Sequence, residues 1–300
     1  MKTVNVSFNN EKDKQIFVNK CEQSFEGRLA SASLKAVNSN ANIVLLSGPT
    51  CAGKTTTANK LIDDFYYANK EVLIISIDDF FYERNEGRVV QENVKIDYDS
   101  VDVLDLDLLT KCIDEIKVGN TISVPKFDFL TQKRISYTKH TIKDNTVVIF
   151  EGIQAVYPEV VSLIKSPYVG IFINVENDIC VNGVCFSNNE IRLVRRLVRD
   201  RKFRGASADF TFFLWETVRE NEEKSILPNK DVCSIKIDSF MEYELFLMKD
   251  YIIEVLSEVK EDSKYYIFAQ ELINKFSTLE RISYEYIPKD SLYTEFLGKK

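Results

Sequence analysis

One histidine, one tryptophan and three methionines are all that this chain of 300 residues holds of those types. With His140 as the lone imidazole and Cys180/Cys185 as the one close cysteine pair, the ligand count of a structural zinc site is not met. The six cysteines, at 21, 51, 112, 180, 185 and 233, lack the spacing of a disulfide framework and read as free thiols of a reducing compartment. No apolar run approaches the roughly 18 residues that suggest a membrane span. The first twenty residues also lack the apolar stretch of a secretory signal, so a cytoplasmic location is expected. Basic excess is missing too: 39 Lys and Arg face 46 Asp and Glu, a net charge of −7 that argues against non-specific coating of nucleic acid. That balance still leaves room for a local basic pocket. Internal repeats and low-complexity segments are absent.

What is present is a core-forming composition, 45% hydrophobic and 28% charged. A polar helix is expected over Asp13–Ala36, followed by the linker NSNAN. Short apolar runs at Ile43–Leu46, Val72–Ile77, Val147–Phe150 and Val169–Ile173 alternate with helical stretches. That rhythm predicts an α/β fold, a doubly wound parallel sheet with helices on both faces. Thr121–Phe129 and Arg134–Ile142 alternate in polarity and predict a β-hairpin protruding from the sheet. Met248–Val259 and Lys264–Phe276 predict amphipathic helices that either pack on the domain or pair subunits. The expected organisation is an N-terminal helical extension (1–40), a nucleotide-binding domain (41–250) and a helical C-terminal appendage (251–300).

Four constellations carry chemistry. Gly48, Pro49, Thr50, Cys51, Ala52, Gly53, Lys54 and Thr55 form GxxxxGK[ST] between a buried-strand pattern and a helix that continues through Thr56. Such a loop presents backbone amides and a helix N-terminus to phosphate, which makes this a P-loop NTPase-type fold. Lys54 is then expected at the β- and γ-phosphates and Thr55 at Mg²⁺. Cys51 inside the loop reads as incidental, although an exposed loop thiol would be prone to oxidation. Asp78 and Asp79 close the next buried run, where a carboxylate can take a proton from a hydroxyl or hold Mg²⁺. Glu151 ends VVIFEGI, a position suited to Mg²⁺. Finally, Arg192, Arg195, Arg196 and Arg199 fall on one helical face, with Leu193, Leu197 and Val198 on the other. A row of like charges suggests an anion nearby, so this face is expected to aim at phosphate. Arg201, Lys202 and Arg204 precede Gly205, which reads as the hinge of an arginine-rich lid. Nucleic-acid contact and a solvated charged face are the competing readings of that stretch. His140 reads as a structural or solvent-facing residue, and Trp215 as core.

In this order, GPTCAGKTT, SIDDFFYE, PKFDF, VVIFEGI and RRLVRDRKFRG resemble the uridine kinase and phosphoribulokinase family over roughly residues 40–250. VRENEEKSILP and PKDSLYTEFLG resemble a uridine-kinase-like branch whose kinase unit often follows a part similar to threonyl-tRNA synthetase. The resemblance implies an ATP- and Mg²⁺-dependent kinase acting on a nucleoside 5′-hydroxyl. It implies Asp79 as catalytic base with Asp78 ranked second, and Thr55, Asp79 and Glu151 around Mg²⁺. Asp99 would grip the ribose hydroxyls, and Arg196, Arg199 and Arg204 would contact substrate and phosphates.

The departures fall where a base would sit. Phe127 stands in place of a tyrosine, Gln132 in place of a histidine, and Ala206 where many members place an arginine. Phe127 and Phe129 either stack on a base or pack on the hairpin, while Gln132 offers a donor and an acceptor. Other acceptors remain open, such as a sugar phosphate or pantothenate, as does a nucleotide-switch or RNA-binding module. No NKxD guanine-reading motif is present.

Overall fold

The computed structural model describes residues 1–83 and 97–299. Strand β1 (Lys2–Val4) leads into helix α1 (Glu11–Asn38), which starts where the Asn10 side chain accepts the Asp13 amide. Strand β2 (Ile43–Ser47) is buried along its whole length and runs through the glycine-rich loop into α2 (Lys54–Tyr67). Strand β3 (Glu71–Ser76) ends in a tight turn bearing Asp78 and Asp79. Helix α3 (Leu106–Lys117) is capped by Asp105 and precedes the hairpin β4 (Thr121–Asp128) and β5 (Lys133–Thr141). Strand β6 (Thr146–Glu151), the short α4 (Pro158–Val161) and β7 (Tyr168–Asn174) follow. A small hairpin, β8 (Ile179–Val181) and β9 (Val184–Phe186), opens onto α5 (Asn188–Arg204) and α6 (Ala208–Asn221). The remainder is β10 (Ile235–Asp238), α7 (Glu244–Ser257), α8 (Tyr266–Ser277) and a last turn, α9 (Thr294–Leu297).

The main sheet has the order β3-β6-β2-β7-β10, every pair parallel. Its strands alternate sides, as period-two geometry requires: Val44 and Leu46 of β2 join one apolar cluster, Ile43 and Leu45 the other. The first cluster takes in α1, α2, α5, α7 and α8; the second takes in α3 and the inner face of β4. Central β2 registers Leu46 against Glu151 of β6 and Ser47 against Phe172 of β7. The glycine-rich loop therefore leaves the carboxyl edge in the crevice flanked by both neighbours.

The four apolar runs are strands, and the predicted hairpin stands apart as a two-stranded sheet. The fifth strand escapes the pattern because Ile235–Asp238, IKID, is a four-residue edge strand buried only at alternate positions. The reading of six free thiols is corrected. Asn182 and Gly183 adopt positive φ of 50° and 87°, the signature of a two-residue hairpin turn. That turn sets Cys180 directly opposite Cys185, and the two form a disulfide. The other four cysteines are free and buried. Among the described residues no helix is long and apolar enough to cross a membrane.

Candidate active site

Gly48 is required by contact: a Cβ there would lie 2.0 Å from the Ile173 carbonyl oxygen at the end of β7. Gly53 holds φ of 93°, a conformation that side chains disfavour, and caps α2 without any side-chain hydrogen bond. The first turn of α2 also lacks an acidic residue. Its amides and the positive end of the helix dipole are thus left to an anionic ligand. Lys54 Nζ donates to the carbonyls of Gly48 and Pro49 at 2.9 and 3.2 Å, which holds the ammonium over the loop. Thr55 is exposed beside it. Cys51 is only 4% accessible, so its thiol is not exposed to oxidation. Its carbonyl and that of Thr50 are gripped from behind by arginines of α5.

Three carboxylates, Glu151, Asp78 and Asp99, lie within the field of this lysine. Glu151, at the end of β6, is pushed up to about 7, first by burial and then by Asp78, Glu295 and Asp79, with Lys54 opposing. Asp78 is pushed up to about 6, again by burial first, with Asp99 and Asp79 adding to it and Lys54 and Lys126 opposing. Asp99 is raised as well, by burial and then Asp97, against Asn221, Lys54 and Arg196. Its loop is fixed by Tyr157, whose hydroxyl donates to the Asp99 carbonyl at 2.9 Å. Asp79 is differently placed: Oδ1 accepts the Phe127 amide at 3.0 Å, and Lys126 Nζ lies 3.2 Å away.

This donor set fits Mg²⁺. Glu151, buried, and Asp78 and Asp99, partly buried, are carboxylates whose charge is disfavoured, and such groups gain from a divalent cation. Mg²⁺ commonly takes one or two protein oxygens, completing its shell with phosphate and water. Among the described residues no group of three His, Cys, Asp or Glu could hold a metal unaided.

The arginine row divides. Helix α5 starts in a reciprocal capping box, Ser187 with Glu190, and stops at Gly205 with φ of 61°. Arg192 forms a bidentate pair with Glu222 at 2.6 and 2.8 Å, and Arg195 one with Glu244 at 2.5 and 2.7 Å. All four of these residues are buried. The expectation that the whole face aims at phosphate is therefore corrected: Arg192 and Arg195 are neutralised by glutamates and brace the glycine-rich loop. Arg196, Arg199 and Arg204 instead surround one buried carboxylate, Asp200, at 3.3, 2.9 and 3.3 Å. Three guanidinium groups on one aspartate leave a net positive charge, which suits an anion. Trp215 is core, as expected, with Arg192 and Arg196 stacked over its ring.

The hairpin carries an aromatic cluster. Phe127 packs edge-on against Phe81 and Phe129, with centroids at 5.7 and 5.3 Å, and is itself buried. Phe129 keeps half of its surface exposed. Gln132 sits at the turn with φ of 54°, and among the described residues its buried Oε1 has no hydrogen-bond partner. Arg134 anchors the hairpin, donating to the Phe81 carbonyl at 3.1 Å and pairing with Asp105 at 2.8 Å. His140 lies on β5 opposite Ile122.

Several residues escaped sequence reasoning: Lys126, Asp200, Glu222, Glu244 and Glu295. Asp200 sits among the arginines at i+4 and i+1 spacing, a signal within reach. The glutamates reach α5 from 30 and 49 residues away, which no local pattern shows. Glu295 accepts a hydrogen bond from Thr56 Oγ1 at 2.7 Å.

The model of the phosphoribulokinase / uridine kinase family matches residues 43–246. A uridine kinase of Ureaplasma urealyticum serovar 10 is 29% identical over 196 residues, 65% of this chain and 86% of that one. A uridine kinase of Lactobacillus johnsonii is 26% identical over 221 residues, covering 73% and 97% of the two chains. A solved structure described as a possible uridine kinase from Bacillus stearothermophilus aligns more loosely, at 18% identity and a TM-score of 0.41 over 50% of this chain and 80% of that one. The family match spans the glycine-rich loop, the carboxylate cluster and the arginine helix alike, so the chain belongs to the phosphoribulokinase / uridine kinase family and is an ATP-dependent kinase.

Proposed function

We propose that the chain transfers the γ-phosphoryl group of ATP to the 5′-hydroxyl of a pyrimidine nucleoside such as uridine or cytidine. The single observation that carries this reading is the junction at Asp79. The carboxylate ending β3 is bonded to the aromatic hairpin, so a base-sized aromatic surface stands next to the phosphate loop. The exposed face of Phe129 and the unpartnered Oε1 of Gln132 supply stacking and hydrogen bonding of the kind a pyrimidine needs. Uridine kinase is also what the two relatives named above are called.

In this reading the loop amides of 48–56 and Lys54 orient the triphosphate. Thr55 and Glu151, with Asp79 at the rim, would hold Mg²⁺, which would supply positive charge to offset that of the triphosphate. Asp99 receives the ribose hydroxyls of the acceptor. Arg196, Arg199 and Arg204 supply charge to the migrating phosphoryl group, their shared Asp200 keeping them in place.

The sequence resemblance puts the base at Asp79, yet the contacts favour its neighbour. Both oxygens of Asp79 lie within 3.3 Å of Lys126 Nζ, and Oδ1 also accepts the Phe127 amide. Asp78 is set among Lys54, Asp99 and Glu151, and its affinity for a proton near 6 suits a base working at neutral pH. We assign proton removal to Asp78 and the fastening of the hairpin to Asp79.

A second reading keeps the kinase and changes the acceptor to a sugar phosphate or pantothenate. The burial of Phe127 against Phe81 and Phe129 favours it, because that ring offers no free face to a base. An RNA-binding switch loses support, since half of the arginine row is neutralised. A panel of nucleosides, sugar phosphates and pantothenate, assayed for ADP release with ATP and Mg²⁺, tests the assignment. Turnover of uridine or cytidine is expected; turnover of another class alone would replace it.

A further inference from the structure

Residues 288–298 lie against the phosphate loop. A Cβ on Gly53 would sit 2.5 Å from Leu292 Cδ1, so loop and segment are fitted to each other. The segment is fixed from several sides. Ser291 donates to Glu22 at 2.6 Å, and the Tyr293 hydroxyl donates to Glu244 at 2.8 Å and accepts the Met241 amide at 3.1 Å. Leu292, Tyr293, Phe296 and Leu297 are buried, and Lys202 of α5 donates to the Leu297 carbonyl. Glu295 is therefore held on a rigid support between the loop and the arginine helix.

Glu295 meets the loop at its second helical threonine, Thr56, 2.7 Å from Oγ1. Its charge is also felt at Glu151 and at Arg199. Phosphate-loop amides cradle the α- and β-phosphates, while the lysine reaches the γ end. Thr56 follows Thr55 along α2, so on the reading of 48–56 as the triphosphate site it would stand toward the α end, where the donor's nucleoside would leave the loop. A fixed carboxylate there repels phosphate and seeks hydrogen-bond donors. Ribose 2′- and 3′-hydroxyls are such donors, and carboxylates serve them in other dinucleotide sites.

We propose that Glu295 accepts hydrogen bonds from the ribose hydroxyls of the nucleoside triphosphate donor and makes the enzyme select ribo- over deoxyribonucleotides. This rests on the reading of 48–56 as the triphosphate site, and not on which acceptor is used.

The test is equilibrium binding of ATP and 2′,3′-dideoxy-ATP, with Mg²⁺ and no acceptor, to the full chain by calorimetry. Hydrogen bonds to a charged group predict a preference for ATP of about tenfold or more in the wild type. Glu295→Ala should weaken ATP by that factor and leave the dideoxy analogue unchanged. A wild type without preference, or a preference that survives in Glu295→Ala, overturns the proposal. So does a variant that binds both nucleotides more tightly, which would make the carboxylate a competitor of phosphate. Inorganic tripolyphosphate, which lacks ribose, monitors the loop. If Glu295→Ala no longer binds it, Glu295→Gln and the wild-type comparison decide. An enzyme that fails on every nucleoside acceptor would refute the acceptor assignment and leave this measurement intact.

Discussion

Asp79 Oδ1 accepts the backbone amide of Phe127 at 3.0 Å, so the strand end that faces the phosphate loop also fixes the aromatic hairpin. Adjacent Asp78 feels the charge of Lys54 and of Asp99. Two neighbouring acids thus face different tasks.

Replacing them separately should divide those tasks. Asp78→Asn is expected to lower kcat by roughly 10²–10⁴, the usual worth of a positioned base, while ADP still binds. Asp79→Ala leaves the Phe127 amide without its acceptor and should act mainly by raising the KM of the phosphoryl acceptor. Steady-state kinetics with ADP titrations check both. Equal loss of kcat in the two variants, or loss confined to Asp79, would return the base to Asp79.

The Arg195–Glu244 pair should matter for stability rather than for contact with substrate. Arg195→Ala strands a buried carboxylate, a change that costs about 3–5 kcal/mol in comparable cases. It also releases the Cys51 carbonyl, so ADP binding should weaken in parallel. Urea unfolding and ADP titration measure the two effects. The Leu193, Leu197 and Val198 side of α5 would be untouched.

Leu292→Ala should act on the nucleotide site without contacting the ligand. Loss of a fully buried leucine costs about 2–5 kcal/mol, depending on how far the cavity collapses. Because that side chain supports Gly53, the variant should also bind ADP less tightly at a temperature where it remains folded. Unchanged ADP affinity would show that the loop holds its shape alone.

A pH prediction concerns Glu22, which accepts from both the Tyr243 and Ser291 hydroxyls. Burial raises its proton affinity above the ordinary value of 4.5, the two hydroxyls and Lys60 opposing. For a carboxyl raised in the folded state, the native protein binds the extra proton, so its contribution is complete below 4.5 and lost as pH rises above it. Glu22→Gln should flatten the fall in stability between acid and neutral pH, read from urea midpoints at matched temperatures. A steeper fall in the variant would contradict the sign.

Much of this was legible beforehand. Three of the four apolar runs, β2, β6 and β7, are legible because a strand buried on both faces has to be apolar, while β3 is an edge strand whose run Val72–Ile77 is apolar although only partly buried. GPTCAGKT announces its loop through the glycines that contact and φ demand. IKID at 235–238 was hidden because an edge strand buries only alternate residues. Periodicity showed that Arg192, Arg195, Arg196 and Arg199 share a face, but not that Glu222 and Glu244 would meet two of them. The Asn182-Gly183 pair did carry the signal that brings Cys180 to Cys185, since that dipeptide favours a two-residue turn. Between Asp78 and Asp79 no pattern could choose, because a single residue's rotation at a strand end decides which one turns inward.

The contact between Gly53 and Leu292 has a consequence for how the enzyme comes into being. The phosphate loop is synthesised early, but its supporting wall arrives some two hundred and forty residues later. A nascent chain that already holds every strand of the main sheet still lacks part of its nucleotide site. Long-range closure of this kind is slow relative to local folding. Competence to bind ATP should therefore come last, once 288–298 has docked against Gly53.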